Sequence, residues 1–402
     1  MVLPEYSGGS IVNLPSSICR WLGVSPLAGL PLDDGKFACC GQFEKVVLIL
    51  VDSLGWNWLQ RLPLLDCTAA DAWQRLQAGG QLAPITSIVP STTAAALTSL
   101  WTGRTPFEHG VVGYEVFLKE YGLIANMITQ GAAAYPKDFN GLARAGFQPE
   151  AFLPVQTLGQ HLSAQQVAVN VLQQQAIAHS GLTRMLMQGA RVIPYRTLSD
   201  LWVTLEETLA QENNRHSFTF AYWGDLDDLS HKFGPQDRRV ALEFASFCQG
   251  MTSFVEQLRR RSQGDTLLVL TADHGQISTP QNVMFEVRRY RQFMDCLSML
   301  PSGENRFAYL FVRPGCEQPL EAAVRETWQN RFDLITTQQL LEKGWLGSGS
   351  MHPQLLDRIG DRVLIPQDNA YLWWANQENP LRGRHGGLTD DEMLAPLLHM
   401  VV

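Results

Sequence analysis

The chain has 402 residues, of which 45% are hydrophobic and 17% charged, so it can bury a large core and is not disordered. A net charge of −8 without a long Lys/Arg run argues against a nucleic-acid polymer or an anionic membrane as partner. An anionic substrate would therefore need positive charge supplied locally, most simply by metal ions.

Seven cysteines (Cys19, Cys39, Cys40, Cys67, Cys248, Cys296 and Cys316) are odd in number and lack CxxC spacing, which suits a reducing compartment. No basic-then-apolar leader and no apolar run of membrane-span length is present, so the expectation is a soluble, cytoplasmic protein.

In chain order, residues 1–44 are punctuated by Gly and Pro and are expected to form an N-terminal arm on the surface. Val46-Val-Leu-Ile-Leu-Val51 has the continuous β-branched character of a strand buried on both faces, and Asp52 ends it. In the stretch Ser87–Gly103, Pro90 breaks the chain, Ser91 and Thr92 are natural caps, and Ala94 to Trp101 is a good helix former. Thr93 should then stand at a helix N-terminus, where free N–H groups and the helix dipole favour anions.

Residues 114–165 give no clear assignment apart from a helical stretch near 157–162, and 167–172 reads as a buried strand. Ser217–Trp223 and Thr266–Thr271 are strand-like and run into Gly224-Asp-Leu-Asp-Asp-Leu-Ser-His231 and Ala272-Asp-His-Gly275. Between them a helix carries Val240, Phe244, Phe247, Met251, Val255 and Leu258 on one stripe, as a βαβ crossover would. Residues 306–312, 320–330 and 332–336 read as strand, helix, strand. The expected organisation is an α/β core over 45–279 and 351–402, with a mostly parallel central sheet flanked by helices on both faces. An inserted α+β cap over 280–350 would complete it.

Asp52, Asp227, His231, Asp273, His274 and His385 fall mostly at strand ends. Each alone is an ordinary turn or loop residue; together with the capped hydroxyl of Thr93 they suit a pair of divalent ions. Imidazole and carboxylate are zinc and manganese ligands, whereas softer metals would want thiolates. Asp227 and His231 share a face if helical, and adjacent Asp273 and His274 splay to two sides of a turn.

As an ordered set these stretches resemble the alkaline phosphatase superfamily, and especially its type I phosphodiesterase/nucleotide pyrophosphatase branch. The matching positions are Val51-Asp52-Ser53, Thr93 ten residues before Gly103, Pro106-Phe-Glu-His-Gly110, Asp227-Asp-Leu-Ser-His231-Lys-Phe-Gly-Pro235, Thr271-Ala-Asp-His-Gly275 and His385-Gly-Gly-Leu-Thr-Asp-Asp-Glu-Met393. The resemblance implies that Asp227, His231 and His385 hold one metal ion and Asp52, Asp273 and His274 the other. Thr93 would bridge toward the second ion and attack phosphorus, its spacing to Gly103 favouring it over the adjacent Thr92 and nearby Ser91, and His109 would be structural. The implied cofactor is two divalent ions, zinc before manganese. The implied substrate is a small phosphate ester, a phosphodiester or pyrophosphate before a phosphomonoester or phosphonate. A phosphomutase and a catalytically degenerate metal-binding protein rank lower.

Departures from the family pattern narrow this. Tyr222 stands where relatives with a third metal carry Glu, and Tyr114 stands about where the phosphodiesterase branch carries a phosphate-binding Asn. No C/S-x-P-x-R sulfatase motif is present. Arg104, Lys232 and Arg384 adjoin motif residues and are weak candidates for substrate contact; Trp56 is a still weaker candidate for stacking.

Overall fold

The β-branched run after residue 44 forms β1 (Lys45–Val51) at the centre of a seven-stranded sheet in the computed structural model, which describes residues 1–37, 41–135, 138–212, 216–261 and 264–402. The other strands of this sheet are β2 (Gln81–Thr86), β6 (Ala168–Gln174), β7 (Arg191–Tyr195), β8 (Ser217–Trp223), β9 (Thr266–Thr271) and β16 (Leu394–Val401). Their order is β2-β16-β9-β1-β8-β6-β7, with β9, β1, β8, β6 and β7 mutually parallel and β16 antiparallel to both neighbours. All of β8 and β9 and all but the first residue of β1 are buried, which is why these runs show no polar alternation.

The crossover expected between β8 and β9 is present. It comprises α6 (Asp225–Phe233) and α7 (Arg238–Arg261), after α1 (Leu14–Trp21), α2 (Trp56–Leu65), α3 (Cys67–Gln77), α4 (Thr93–Thr102) and α5 (Leu198–Gln211) earlier in the chain. Val240, Phe244, Phe247, Met251 and Val255 of α7 are buried, and Phe244 meets the rings of Trp58 in α2 and Trp73 in α3 at 5.3 and 5.7 Å.

The first residues differ from the surface arm expected for them. Ile11, Leu14, Ile18 and Trp21 are at most 2% exposed. Ser10 bridges to Thr86, Thr86 N donates to Gly9 O at 2.8 Å, and the Asn13 side chain donates to Tyr6 O and Leu30 O. Helix α1 has only eight residues and a Pro in its first turn, too short for a periodicity window to register.

A second seven-stranded sheet is antiparallel throughout, in the order β13-β14-β12-β11-β3-β4-β5. The segment 280–350 supplies β11 (Ser302–Glu304), β12 (Phe307–Leu310), β13 (Phe332–Thr336) and helix α8 (Glu317–Trp328). The remaining strands are β3 (Glu115–Leu118), β4 (Leu123–Asn126), β5 (Gly131–Ala132) and β14 (Arg362–Pro366), from outside that segment. Strands of two to four residues carry too little alternation to be read from sequence. A two-stranded ladder, β10 (Ile277–Ser278) with β15 (Gly383–Arg384), leads into His385.

Candidate metal centre

Three parallel strands deliver their first polar residues to one sheet edge. Asp52 follows β1, the turn after β8 opens α6 with Asp227 and His231 one helical turn apart, and Asp273-His274 follow β9. Helix α4 begins at Thr93 with Thr92 as its N-cap and points its N-terminus at the same edge; all ten of its residues are buried. Gly103 ends it in the left-handed conformation, and a Cβ there would lie 2.3 Å from Ala28 O, so the N-terminal segment needs this glycine. His385 arrives from far along the chain.

The six Asp and His residues converge as two triads, Asp227/His231/His385 and Asp52/Asp273/His274, each with ligand atoms within 4.8 Å of one another. In the first, His231 Nε2 is 3.2 Å and His385 Nε2 3.9 Å from the Asp227 carboxylate. In the second, His274 Nε2 is 3.6 Å from Asp52 Oδ1 and 3.5 Å from Asp273 Oδ2. The triads adjoin, since the His274 and His385 rings stack at 3.8 Å. Thr93 Oγ1 lies 3.1 Å from His274 Nε2 and 3.5 Å from Asp52 Oδ2.

The donor set fits divalent cations. His231, His274 and His385 each present Nδ1 to a backbone oxygen, of Gly383, Gly275 and Ser91, at 2.9, 3.1 and 3.1 Å. A carbonyl can only accept, so each Nδ1 carries the proton and each Nε2 keeps its lone pair facing inward, as metal-bound imidazoles are held. Asp52 Oδ1 and Asp273 Oδ2 are fully buried without a hydrogen-bond partner, a costly arrangement that a cation between them would satisfy.

Without a cation the charges conflict. Burial, and then the Asp273 and Asp227 charges, push the Asp52 carboxyl well above its usual range; burial also raises Asp273. Burial would raise Asp227 as well, but His231, and then His385 and His274, more than offset it and hold that carboxyl low. Burial holds His385 well below the usual imidazole range, keeping it neutral and ready to ligate.

Two residues at the site carry no sequence signal of their own. Tyr222, inside β8 and in register with Leu50, donates its hydroxyl to Asp52 Oδ2. Glu304, on β11, accepts from the Thr92 hydroxyl and from Tyr114 N, the latter at 3.0 Å; burial raises its carboxyl to about 8. Only the absence of the family's Glu and Asn at Tyr222 and Tyr114 hinted that something else acts there. Ser53 takes φ 67°, outside the usual range for a non-glycine residue, and so aims its N–H at Asp273 Oδ1, 3.2 Å away.

The weaker candidates lie apart from the two triads or are already engaged. Arg104 pairs with Glu108 at 2.7 Å, and the Lys232 ammonium sits over the Phe233 ring. Arg384 lines the adjoining cavity, but its guanidinium donates to Asn379, Thr279, Asn305 and Leu381 O and stacks on Tyr371. Trp56 begins α2 and does not line the cavity. His109 is buried between Ser99 Oγ and Val111 N, a structural role. Cys39 and Cys40 lie outside the described residues; Cys19, Cys67, Cys248, Cys296 and Cys316 are free thiols. Among the described residues no helix is long and apolar enough to cross a membrane.

Residues 46–388 match the family described as type I phosphodiesterase / nucleotide pyrophosphatase. No curated protein matches the chain by sequence. Among solved structures, murine ectonucleotide pyrophosphatase / phosphodiesterase 5 is similar with a TM-score of 0.66 at 15% identity, over 89% of this chain and 88% of that one. An inactive threonine-to-alanine variant of that murine protein in complex with AMP is similar with a TM-score of 0.64 at 15% identity, over 89% and 87%. Phosphonoacetate hydrolase from Sinorhizobium meliloti 1021, in complex with phosphonoformate, is similar with a TM-score of 0.61 at 18% identity, over 89% and 90%.

Proposed function

Because the chain belongs to the type I phosphodiesterase / nucleotide pyrophosphatase family, and is therefore a hydrolase of phosphoester bonds, we propose that it cleaves phosphodiester or pyrophosphate bonds with Thr93 as nucleophile. In this reading Asp227, His231 and His385 hold one divalent ion and Asp52, Asp273 and His274 the other, with zinc the ion that this mixed donor set suits best. Such ions supply Lewis acidity to phosphoryl oxygens and favour an ionised hydroxyl. The observation that carries the proposal is that the two triads adjoin through the stacked His274 and His385 rings, with the Thr93 hydroxyl at the start of α4 lying 3.1 Å from His274 Nε2 and 3.5 Å from Asp52 Oδ2.

Thr93 Oγ1 forms a bond to phosphorus as the ester oxygen departs on the opposite side; the threonine proton is lost to solvent and the departing oxygen takes one up. Water then cleaves the phospho-threonine and restores the hydroxyl. The N–H groups of the first turn of α4 have no partners within the helix and can receive a phosphoryl oxygen as charge builds on it. The inactive threonine-to-alanine variant of the murine neighbour parallels the role given to Thr93. The odd number of cysteines without CxxC spacing suits a reducing, cytoplasmic location, which cell fractionation would test.

The zinc-loaded protein is expected to hydrolyse bis-p-nitrophenyl phosphate faster than p-nitrophenyl phosphate. Thr93→Ala should abolish turnover while retaining fold and bound metal. A preference for the monoester would shift the reading to a phosphomonoesterase. An active Thr93→Ala protein would remove the nucleophile assignment, and absence of bound metal and of turnover on every phosphate ester would remove the enzyme.

A further inference from the structure

Beyond the metal ligands, the catalytic cavity of about 420 Å³ runs past Thr92, Glu304 and Tyr114 to Glu115, Ala132, Ala133, Tyr135 and Trp374. Those last five residues also line a second, larger cavity of about 680 Å³. The two cavities therefore adjoin across these residues, with strands β3, β4 and β5 of the second sheet on one side. The far half is apolar: Phe117 on β3, Leu123 and Ile124 on β4, and Met299, Leu300 and Pro301 on the approach to β11. Where the two meet, the Trp374 indole donates to Glu115 Oε2 at 2.9 Å, which fixes both side chains.

The charged groups along this path do not suit a second anion. Asp228 lines it with a carboxylate, while burial raises the Glu304 and Glu115 carboxyls to about 8 and about 7, so that they offer an anion no positive partner. Arg384 is spent on four internal partners, and Arg288 donates Nε to Trp374 O at 2.7 Å. A chain of methylenes or an aromatic body, by contrast, would leave water for an apolar wall at no electrostatic cost.

We infer that one of the two ester arms of the substrate is a bulky, uncharged apolar group lodged between β3, β4 and the 299–301 segment, so the preferred substrate is an amphiphilic phosphodiester. This deepens the phosphodiesterase reading and rests on it. The second sheet then sets specificity, while the first sheet carries the reacting centre.

The test compares kcat/KM of the zinc-loaded protein on p-nitrophenyl methyl phosphate and p-nitrophenyl octyl phosphate, which release the same chromophore. Burial of several methylenes should favour the octyl ester at least about tenfold, mainly through KM. Leu300→Glu places a charge in the groove and Ala133→Trp fills it; each should bring the octyl-to-methyl ratio toward one. A wild-type ratio near one, with the methyl ester turned over, would overturn this inference and leave the phosphodiesterase reading standing. Failure to turn over either ester would bring both down. Because the wild-type ratio decides the matter, a variant that does not fold leaves the test intact.

Discussion

Tyr222→Phe isolates one interaction at the candidate metal centre. The ring is 7% exposed and stays in place in the phenylalanine variant, so packing in β8 is kept and only the hydroxyl is lost. That hydroxyl donates to Asp52 Oδ2 while Oδ1 has no hydrogen-bond partner, so it orients the carboxylate with its free oxygen toward Asp273 and His274. A hydrogen bond to a charged group contributes about 1.5–3 kcal/mol. Loss of a comparable partner behind a metal ligand lowers metal affinity about 10–100-fold, or about 1.4–2.7 kcal/mol. Zinc titration against a chelating dye should show one of two sites weakened by that factor and the other unchanged, with circular dichroism confirming the fold. A folded Tyr222→Phe protein that binds both ions as tightly as wild type would refute the idea that this hydroxyl positions Asp52.

Metal removal should destabilise the whole chain, since ions that bind only the folded form at 100 times Kd add about 2.7 kcal/mol each; thermal unfolding with and without chelator reads this. Arg306→Ala should cost about 3–5 kcal/mol in denaturant unfolding, because it strands the buried Glu392 that Arg306 binds through Nε and Nη2 at 2.7 and 2.9 Å. Burial raises the Glu115 carboxyl from 4.5 to about 7, so the folded state holds that proton while the unfolded state loses it. Its contribution to stability is thus fully present below pH 4.5 and falls as pH rises to 7, by roughly 3 kcal/mol in all. Glu115→Gln should remove this slope from the metal-free protein; denaturation midpoints with the same pH dependence in both proteins would contradict it.

The positions of Asp52 and of the Asp273-His274 pair were legible because a fully buried parallel strand is a run of β-branched residues, and a carboxylate that ends such a run has nowhere to go but the sheet edge. Asp227 and His231 were legible through helical spacing. His385 was not, because nothing in residues 385–387 fixes its neighbours; only its place in an ordered family pattern tied it to Asp227, which it approaches to 3.9 Å. Tyr222 and Glu304 were hidden for another reason. Tyr222 reads as an ordinary strand residue, and Glu304 lies on a three-residue strand wedged between β12 and the sequence-distant β3. The buried N-terminal segment was misread because its one apolar helix is two turns long, and the width of the second sheet because its strands are short.

Strand β16 sits between β2 and β9, and among the described residues β2 pairs with no other strand of the central sheet, its far side meeting only the Gly9–Ser10 segment at Thr86. Ribosomal synthesis makes β2 about 300 residues before β16, so during translation that edge is without its partner and its backbone groups stay open to stray pairing, the slow and aggregation-exposed situation of long-range β contacts. Pro84 and Gln81 on β2 temper that risk, as prolines and polar side chains do on exposed edges. Slowing elongation near the end of the message, or depleting nascent-chain chaperones, should therefore lower soluble yield far more than the same change made early in the message.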